Sequence, residues 1–219
     1  MKFKSGVIAL ALAGLAAGGS ALAQTQGVSK TEIVIGSMQD LSGPLVGFSK
    51  QLVNGMNMRV EEQNALGGVN GRKLKLVIED SGYDPKKAVL ATQKLVQKDK
   101  IFAMVGTIGT PVALPSMPIL FEKNIPHLFP LTAAREMYEP LHKLKYSTAA
   151  TYYDQMRAGV KMLVKQKGAK KVCTMYQDDD FGLEIMRGAE AGLKEINQVL
   201  AEKTTYKRGA TDFSSQISR

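Results

Sequence analysis

Residues 107–110 have the types and spacing of an anion-binding turn. They follow a segment with strand character and precede one with helical character, which would place Thr110 at a helix N-terminus. The unpaired N–H groups of a helix start, its dipole and a threonine hydroxyl all favour a negatively charged group such as a carboxylate. A threonine here can also cap its own helix, and the two roles are compatible. The candidate ligand-binding residues of this turn are Thr107, Ile108, Gly109 and Thr110.

Other residues that could carry chemistry do not assemble into an enzyme motif. Residues 178–180 are three consecutive aspartates, but they lack the alternate oxygen ligands of a calcium loop. Residues 180–182 spell Asp-Phe-Gly without the glycine-rich loop and strand lysine of a kinase. His127 and His142 occur without a serine or cysteine nucleophile motif. We therefore expect no metal, no cofactor and no enzymatic activity.

The composition excludes a nucleic-acid partner. The formal net charge is +9, but the basic residues are scattered and are not interleaved with aromatic residues. Such a surface can steer anionic solutes weakly. Cys173 is the single cysteine, so it cannot form an internal disulfide, and its apolar neighbours predict a buried strand position.

The first 23 residues have the pattern of a secretory signal peptide. Lys2 and Lys4 precede an apolar run that ends in Ala-Leu-Ala at Ala23, which predicts cleavage after Ala23. A membrane anchor is the alternative, but the run is rich in alanine and glycine and short for a span of about 20 apolar residues. We expect an exported protein.

Strand and helix patterns alternate along the rest of the chain, which predicts a parallel sheet with helices on both faces. The first unit is expected over residues 30–145. A second unit starts over residues 146–219, and a helix opening near its end is cut off by the chain terminus, so this unit is expected to be truncated. The predicted strands are 32–36, 74–79, 102–106, 126–130, 171–176 and 199–206, and the predicted helices are 48–63, 86–97, 112–123, 154–167 and 183–196.

An ordered series of motifs resembles the leucine/isoleucine/valine-binding family of periplasmic solute receptors. The series covers nearly the whole chain after the signal peptide. It comprises IVIG at 33–36, LSGP at 41–44, NALGGVNG at 64–71, EDS at 79–81, GTIGTP at 106–111 and YQDDDFG at 176–182. The resemblance implies an α/β fold of two doubly wound parallel-sheet lobes, the type I periplasmic binding fold, with the second lobe truncated and the ligand held in the cleft between the lobes.

The same resemblance implies which residues hold the ligand's charged groups. Thr110 falls on the position of the family's α-carboxylate contact. Leu131, Thr132 and Ala133 match the loop that contacts the amino and carboxylate groups. The chain departs from the family here, because Ala133 stands at the usual threonine position and Thr132 precedes it. Amino acids and other carboxylic acids therefore both remain candidate ligands.

Three aromatic residues are implied in the cleft. Phe48 stands where the family often has a tyrosine that packs on the ligand's side chain, and Phe181 matches an aromatic residue of the second lobe. Tyr152, near the crossing between the lobes, is predicted to line the cleft. For both phenylalanines, an ordinary core position is the alternative.

The implied function is that of the periplasmic substrate-binding component of an ABC importer. Its partners would be a small carboxylate ligand, foremost a branched-chain or other apolar amino acid, and a membrane permease. Aromatic or aliphatic carboxylic acids are the alternative ligands. A sensory ligand-binding module with the same lobes is the alternative function.

Overall fold

A computed structural model of the chain describes residues 25–218. The predicted signal peptide and the cleavage after Ala23 lie outside the described residues. The strands are β1 Glu32–Gln39, β2 Lys73–Asp80, β3 Ala103–Val105, β4 His127–Leu128, β5 Lys145–Tyr146, β6 Val172–Gln177 and β7 Leu200–Tyr206. The helices are α1 Val46–Ala65, α2 Pro85–Gln97, α3 Thr110–Glu122, α4 Tyr152–Lys167, α5 Asp180–Lys194 and α6 Ser214–Ile217.

The first five strands form one parallel sheet in the order β2-β1-β3-β4-β5. The chain moves outward from β1 to β2 and then crosses back over β1 to β3. Because parallel crossovers are right-handed, this reversal places α1 on one face of the sheet and α2 and α3 on the other. The predicted α/β fold with a parallel sheet is confirmed. The reversal of strand order between β1 and β3 is where such folds bind ligands, outside the carboxyl ends of the strands.

The core lies between the sheet and the α2–α3 layer. Met38 and Met104 of the sheet pack with Leu95 of α2 and Leu120 of α3, and all four are fully buried. Helix α2 begins where the sequence predicts, because the Asp84 side chain accepts hydrogen bonds from two N–H groups of the first turn.

Helix α3 contains two internal prolines. A proline usually shortens or kinks a helix, yet Pro115 and Pro118 both lie inside a continuous helix of 13 residues. Each proline removes one backbone hydrogen bond. The burial of Val112, Ala113 and Leu120 against the sheet offsets that loss.

The second unit contains a two-stranded parallel sheet, β6-β7, which packs against α5, and α5 in turn pairs with α4. Two sequence predictions differ from the structure. Tyr146 was expected in the second unit, but it pairs with Leu128 in the first sheet. Cys173 was expected to be buried, but it is exposed on β6 because nothing among the described residues covers that side of the strand. The division into two lobes near residue 145 stays a prediction.

No helix among residues 25–218 has both the length and the apolar character required to cross a membrane.

Glycines allow α4 and α5 to approach closely. A Cβ on Gly192 of α5 would lie 2.4 Å from the carbonyl oxygen of Arg157 and 2.5 Å from a Val160 methyl group. In contrast, a Cβ on Gly159 of α4 would have no neighbour within 4 Å. These two helical glycines therefore separate the effect of packing from that of helix propensity.

We expect Gly192→Ala to lower the free energy of unfolding by about 1–3 kcal/mol, because the helices must separate to admit the methyl group. Gly159→Ala should raise it by about 0.5–1 kcal/mol, because alanine favours the helix. Urea denaturation of both variants and the wild type measures the difference. Equal effects of the two substitutions would contradict the close packing.

His127 is a buried base in the middle of the first sheet. It lies on β4 between Met104 and Lys145, its side chain is fully buried, and neither ring nitrogen has a hydrogen-bond partner among the described residues. Burial lowers the pKa of His127 from 6.5 to about 4. The folded protein therefore holds a neutral imidazole at neutral pH.

This depressed pKa makes stability depend on pH in a defined window. The unfolded chain binds a proton at His127 below pH 6.5, whereas the folded chain does so only near pH 4. Above pH 6.5, His127 is neutral in both states and does not reduce stability. As the pH falls from 6.5 toward 4, its protonation in the unfolded chain lowers the free energy of unfolding, by up to about 1.4 kcal/mol per pH unit. His127→Gln should remove this part of the slope. Parallel curves of unfolding free energy against pH for the two proteins would refute the assignment.

Candidate functional site

The candidate site lies outside the carboxyl ends of β1, β3 and β4, where hydrogen bonds continue the sheet beyond its strands. The N–H of Ile108 donates to the carbonyl of Met38 at 3.1 Å, and the N–H of Leu131 donates to the carbonyl of Thr107 at 2.7 Å. The N–H of Gly109 then returns to the carbonyl of Leu131 at 3.1 Å. These bonds fix the segments at the ends of β1, β3 and β4 relative to one another.

Thr110 is the polar group at the base of the site. It is the first residue of α3, so its N–H has no acceptor within the helix. Its hydroxyl lies 2.7 Å from that of Thr132, and both side chains are buried. Thr132 also accepts a hydrogen bond from the N–H of Ala134 at 3.2 Å. The Thr132 side chain thus sets the orientation of the Thr110 hydroxyl.

Gly109 allows Tyr83 to pack against the helix start. Gly109 has φ +93°, and a Cβ there would lie 2.2 Å from the Tyr83 ring. Tyr83 itself has φ +56° and is buried. Burial, together with the nearby carboxylate of Asp179, raises the pKa of Tyr83 to about 12, so its phenol is neutral at physiological pH.

The loop from β1 to α1 is organised by Asp40, which is fully buried. Its two carboxylate oxygens accept hydrogen bonds from the N–H groups of Gly43 and Leu45, each at 2.6 Å. Its own N–H donates to the Ser49 hydroxyl at 3.0 Å. These contacts hold the loop that leads to Phe48, a residue of α1 that is 66 % exposed.

The second unit supplies an aromatic wall. Tyr152 and Phe181 meet edge to face, with ring centroids 5.0 Å apart and planes at 86°. The N–H of Tyr152 donates to the carbonyl of Ala133 at 2.8 Å, which ties this wall to the first unit. Arg135 adds a second link, because its Nε lies 3.1 Å from a carboxylate oxygen of the buried Glu184.

Gln177 and Gly182 bring the end of β6 against the start of α5. A Cβ on Gly182 would lie 1.9 Å from the carbonyl oxygen of Gln177, so only glycine permits this approach. The Gln177 amide donates to Asp179 at 2.5 Å, and Asp179 caps α5 by accepting the N–H of Gly182 at 3.2 Å.

These groups surround a cleft of about 290 Å³ between the two units. Seven of the ten predicted site residues line it: Phe48, Ile108, Gly109, Thr110, Leu131, Tyr152 and Phe181. The other three do not. Thr107 and Ala133 make backbone hydrogen bonds behind the cleft, and Thr132 supports Thr110.

Sequence reasoning missed five lining residues: Pro44, Leu45, Tyr83, Gln177 and Gly209. Pro44 and Leu45 belong to the loop after β1, which the sequence did place at this edge. Tyr83 follows β2, and the same rule applied to that loop would have found it. Gln177 and Gly209 are brought in by the second unit, and no local pattern marks them.

The lining of the cleft is mainly apolar, with Thr110, Gln177 and Tyr83 as the polar side chains. None of the described residues that line it is acidic. Within the described part of the chain, no group of three or more histidine, cysteine, aspartate or glutamate residues is arranged to hold a metal ion. The arrangement suits a small, partly apolar ligand with one charged end.

Comparison with known proteins places this geometry in a family. A family model described as "Periplasmic binding protein" matches residues 32–219. An amino acid binding protein of Pseudomonas aeruginosa is 28 % identical over 219 residues, covering 99 % of this chain and 56 % of the relative. The Leu/Ile/Val-binding protein of Escherichia coli is 26 % identical, covering 94 % of this chain and 56 % of the relative. The chain thus spans about half the length of these relatives.

The solved structures show the same fold. A fatty acid ABC transporter substrate-binding protein from Thermomonospora curvata superposes with a TM-score of 0.77 at 25 % identity, covering 89 % of this chain and 49 % of that chain. The resemblance to leucine/isoleucine/valine-binding receptors of the type I fold, which the sequence motifs indicate, is confirmed. The chain belongs to the periplasmic binding protein family.

Proposed function

We propose that the protein is the substrate-binding component of an ABC importer and that it binds a small carboxylate, foremost a branched-chain or other apolar amino acid, by closure of two lobes. The observation that carries the proposal is the cleft itself. Thr110, at the start of α3, lines it together with aromatic and aliphatic residues.

The carboxylate would bind at Thr110. The start of α3 offers an N–H group without an intrahelical acceptor, and the helix dipole favours negative charge there. The hydroxyl of Thr132 fixes that of Thr110, so little side-chain entropy is lost when the ligand binds. Exclusion of water on closure strengthens a hydrogen bond to a charged group.

The ligand's apolar part would lie against Phe48, Leu131, Tyr152 and Phe181. Small-molecule sites usually occupy about 300–1,000 Å³, so a cleft of about 290 Å³ favours a ligand of a few carbon atoms. In this mechanism lobe one binds the carboxylate first, and closure then brings Tyr152 and Phe181 of lobe two onto the side chain. No covalent step is required.

One observation supports a second class of ligand. No acidic side chain among the described residues lines the cleft, and Ala133 occupies the family's threonine position, so this lining offers an α-amino group no carboxylate partner. An aromatic or aliphatic carboxylic acid requires no such partner. The two classes have representatives among the comparisons, since the relatives are named for amino acids and one structural neighbour for fatty acids.

The cellular setting is part of the same proposal. The predicted signal peptide would export the protein to the periplasm, and a membrane permease would recognise its closed form. The family includes soluble receptors, whereas a sensory module would require a signalling partner.

Isothermal titration with matched ligand pairs tests the ligand class. Leucine and 4-methylpentanoate share a side chain and a carboxylate, and only leucine carries an amino group. Tighter binding of leucine supports the amino-acid receptor, and tighter binding of 4-methylpentanoate, benzoate or octanoate supports the carboxylic-acid receptor. If none of these acids binds, a carboxylate receptor is excluded.

Thr110→Val should weaken the binding of the preferred acid by about 10–100-fold, because a hydrogen bond to a charged group contributes about 1.5–3 kcal/mol. Thr110→Ser keeps the hydroxyl and should change the affinity by no more than about fourfold, the contribution of one buried methyl group. Titration measures both variants, with urea denaturation as a check on folding. Equal losses in the two variants would place the carboxylate elsewhere.

A further inference from the structure

Arg208 lies at the mouth of the cleft, in a turn that directly follows β7. The turn is closed by a hydrogen bond from the N–H of Ala210 to the carbonyl of Lys207 at 2.9 Å, and Gly209 supplies a φ of +77°. Gly209 lines the cleft, whereas the Arg208 side chain does not. The turn therefore directs Arg208 past the ligand space.

The Arg208 guanidinium contacts groups on both sides of the cleft. Its Nε donates to a carboxylate oxygen of Asp179 at 3.3 Å, within the second unit. Its Nη1 donates to the main-chain carbonyl of Tyr83, which belongs to the first unit. The guanidinium also lies 5.3 Å from the centroid of the Tyr83 ring. We call these three residues the Arg208 bridge.

Both ends of the Arg208 bridge are held in place. Asp179 is 9 % exposed and is fixed as the cap of α5. Tyr83 has a left-handed backbone, its ring packs against Gly109, and its N–H donates to the Ser81 hydroxyl at 3.2 Å. Since neither end can follow the other, separation of the two units would break the contact to Tyr83 and keep the one to Asp179.

We propose that Arg208 is a positioning residue that stabilises the closed cleft and thereby raises ligand affinity without touching the ligand. This inference rests on the proposed function, in which closure accompanies binding. In that mechanism the ligand binds first and the cleft then closes over it, so a contact made only in the closed form stabilises the closed complex and slows release of the ligand. Loss of the contact shifts the equilibrium toward the open form and weakens binding.

Arginine is suited to this role. Its planar guanidinium group is permanently charged and can donate hydrogen bonds in two directions at once. One goes to the Asp179 carboxylate in its own unit and the other to the Tyr83 carbonyl in the first unit. Asp179 holds the side chain ready on the second unit, so little rotamer freedom remains to be lost when the cleft closes.

The test compares Arg208→Gln with Asp179→Asn in the full-length protein, with leucine as the probe ligand. Asparagine preserves the helix cap and removes the charge that holds Arg208. Arg59→Gln is the control, because it makes the same charge change in an exposed pair with Glu62, away from the cleft.

Titration and stopped-flow kinetics should show weaker binding of leucine in both bridge variants, by about tenfold or more for Arg208→Gln. The loss should appear as faster dissociation with little change in association. The double variant should bind no worse than Arg208→Gln, because the two substitutions disrupt one network. The control should bind as the wild type does.

A second measurement does not depend on any ligand. Spin labels at Lys50→Cys and Lys194→Cys, both exposed positions, report the distance between the units by pulsed electron resonance. A Cys173→Ser background removes the exposed native thiol. Arg208→Gln should shift the distances in the ligand-free protein toward longer values, and Arg59→Gln should not.

The outcomes separate this inference from the proposed function. If the wild type binds no leucine, the amino-acid proposal fails and the distances alone decide the role of Arg208. The inference is overturned if Arg208→Gln changes neither affinity nor distance. It is also overturned if Arg208→Gln loses affinity while Asp179→Asn retains it and the distances stay constant, since Arg208 would then contact the ligand directly.

Discussion

The site depends on backbone hydrogen bonds that continue the parallel sheet past the ends of its strands. Ile108 bonds back to the end of β1, and Leu131 bonds to Thr107, so three loops that are distant in sequence become one surface. The start of α3 is located by this surface, which fixes where a ligand's charge can be stabilised. Gly109 can then accept the Tyr83 ring, and Thr132 can reach Thr110. Without these bonds, the residues would share a sheet edge but not a defined geometry.

The parts of the fold governed by local physics could be predicted from the sequence. The predicted strands 32–36 and 74–79 fall within β1 and β2, and the predicted helices 86–97 and 154–167 match α2 and α4 within two residues. The ends of these helices are set locally, by the Asp84 cap of α2 and by Gly168 after α4. The two-residue strand β5 could not be assigned correctly, because each of its residues pairs with a residue of β4 that lies 18 positions earlier, and only the tertiary fold selects this partner. The exposure of Cys173 likewise depends on which elements cover β6, and its neighbours in sequence do not encode this.

The residues of the candidate site also divide into those that the sequence predicts and those that only the tertiary fold brings in. Residues that follow strands of the first sheet were found, since the carboxyl edge of a parallel sheet can be inferred from strand order. Tyr83 follows β2 and falls under the same rule, whereas Gln177 enters the cleft through contacts between elements that are far apart in the chain. Thr132 is predicted from its position in sequence to contact the ligand, and what the structure adds is that its hydroxyl lies 2.7 Å from that of Thr110. A linear motif identifies which loop is involved but not which of its side chains face the ligand.

The buried carboxylate of Asp40 has a consequence for how ligand range could evolve in such a receptor. By binding two N–H groups of its own loop, it makes the first-lobe wall rigid before any ligand arrives. In the proposed function, this loop and the turn at Thr110 form a wall that is set in advance, and Tyr152 and Phe181 come onto the ligand when the cleft closes. Substitutions of Tyr152 and Phe181 would then exchange one apolar solute for another without disturbing the turn that is proposed to hold the acid. Recognition of the chemical class and discrimination within it would then reside on separate pieces of the chain.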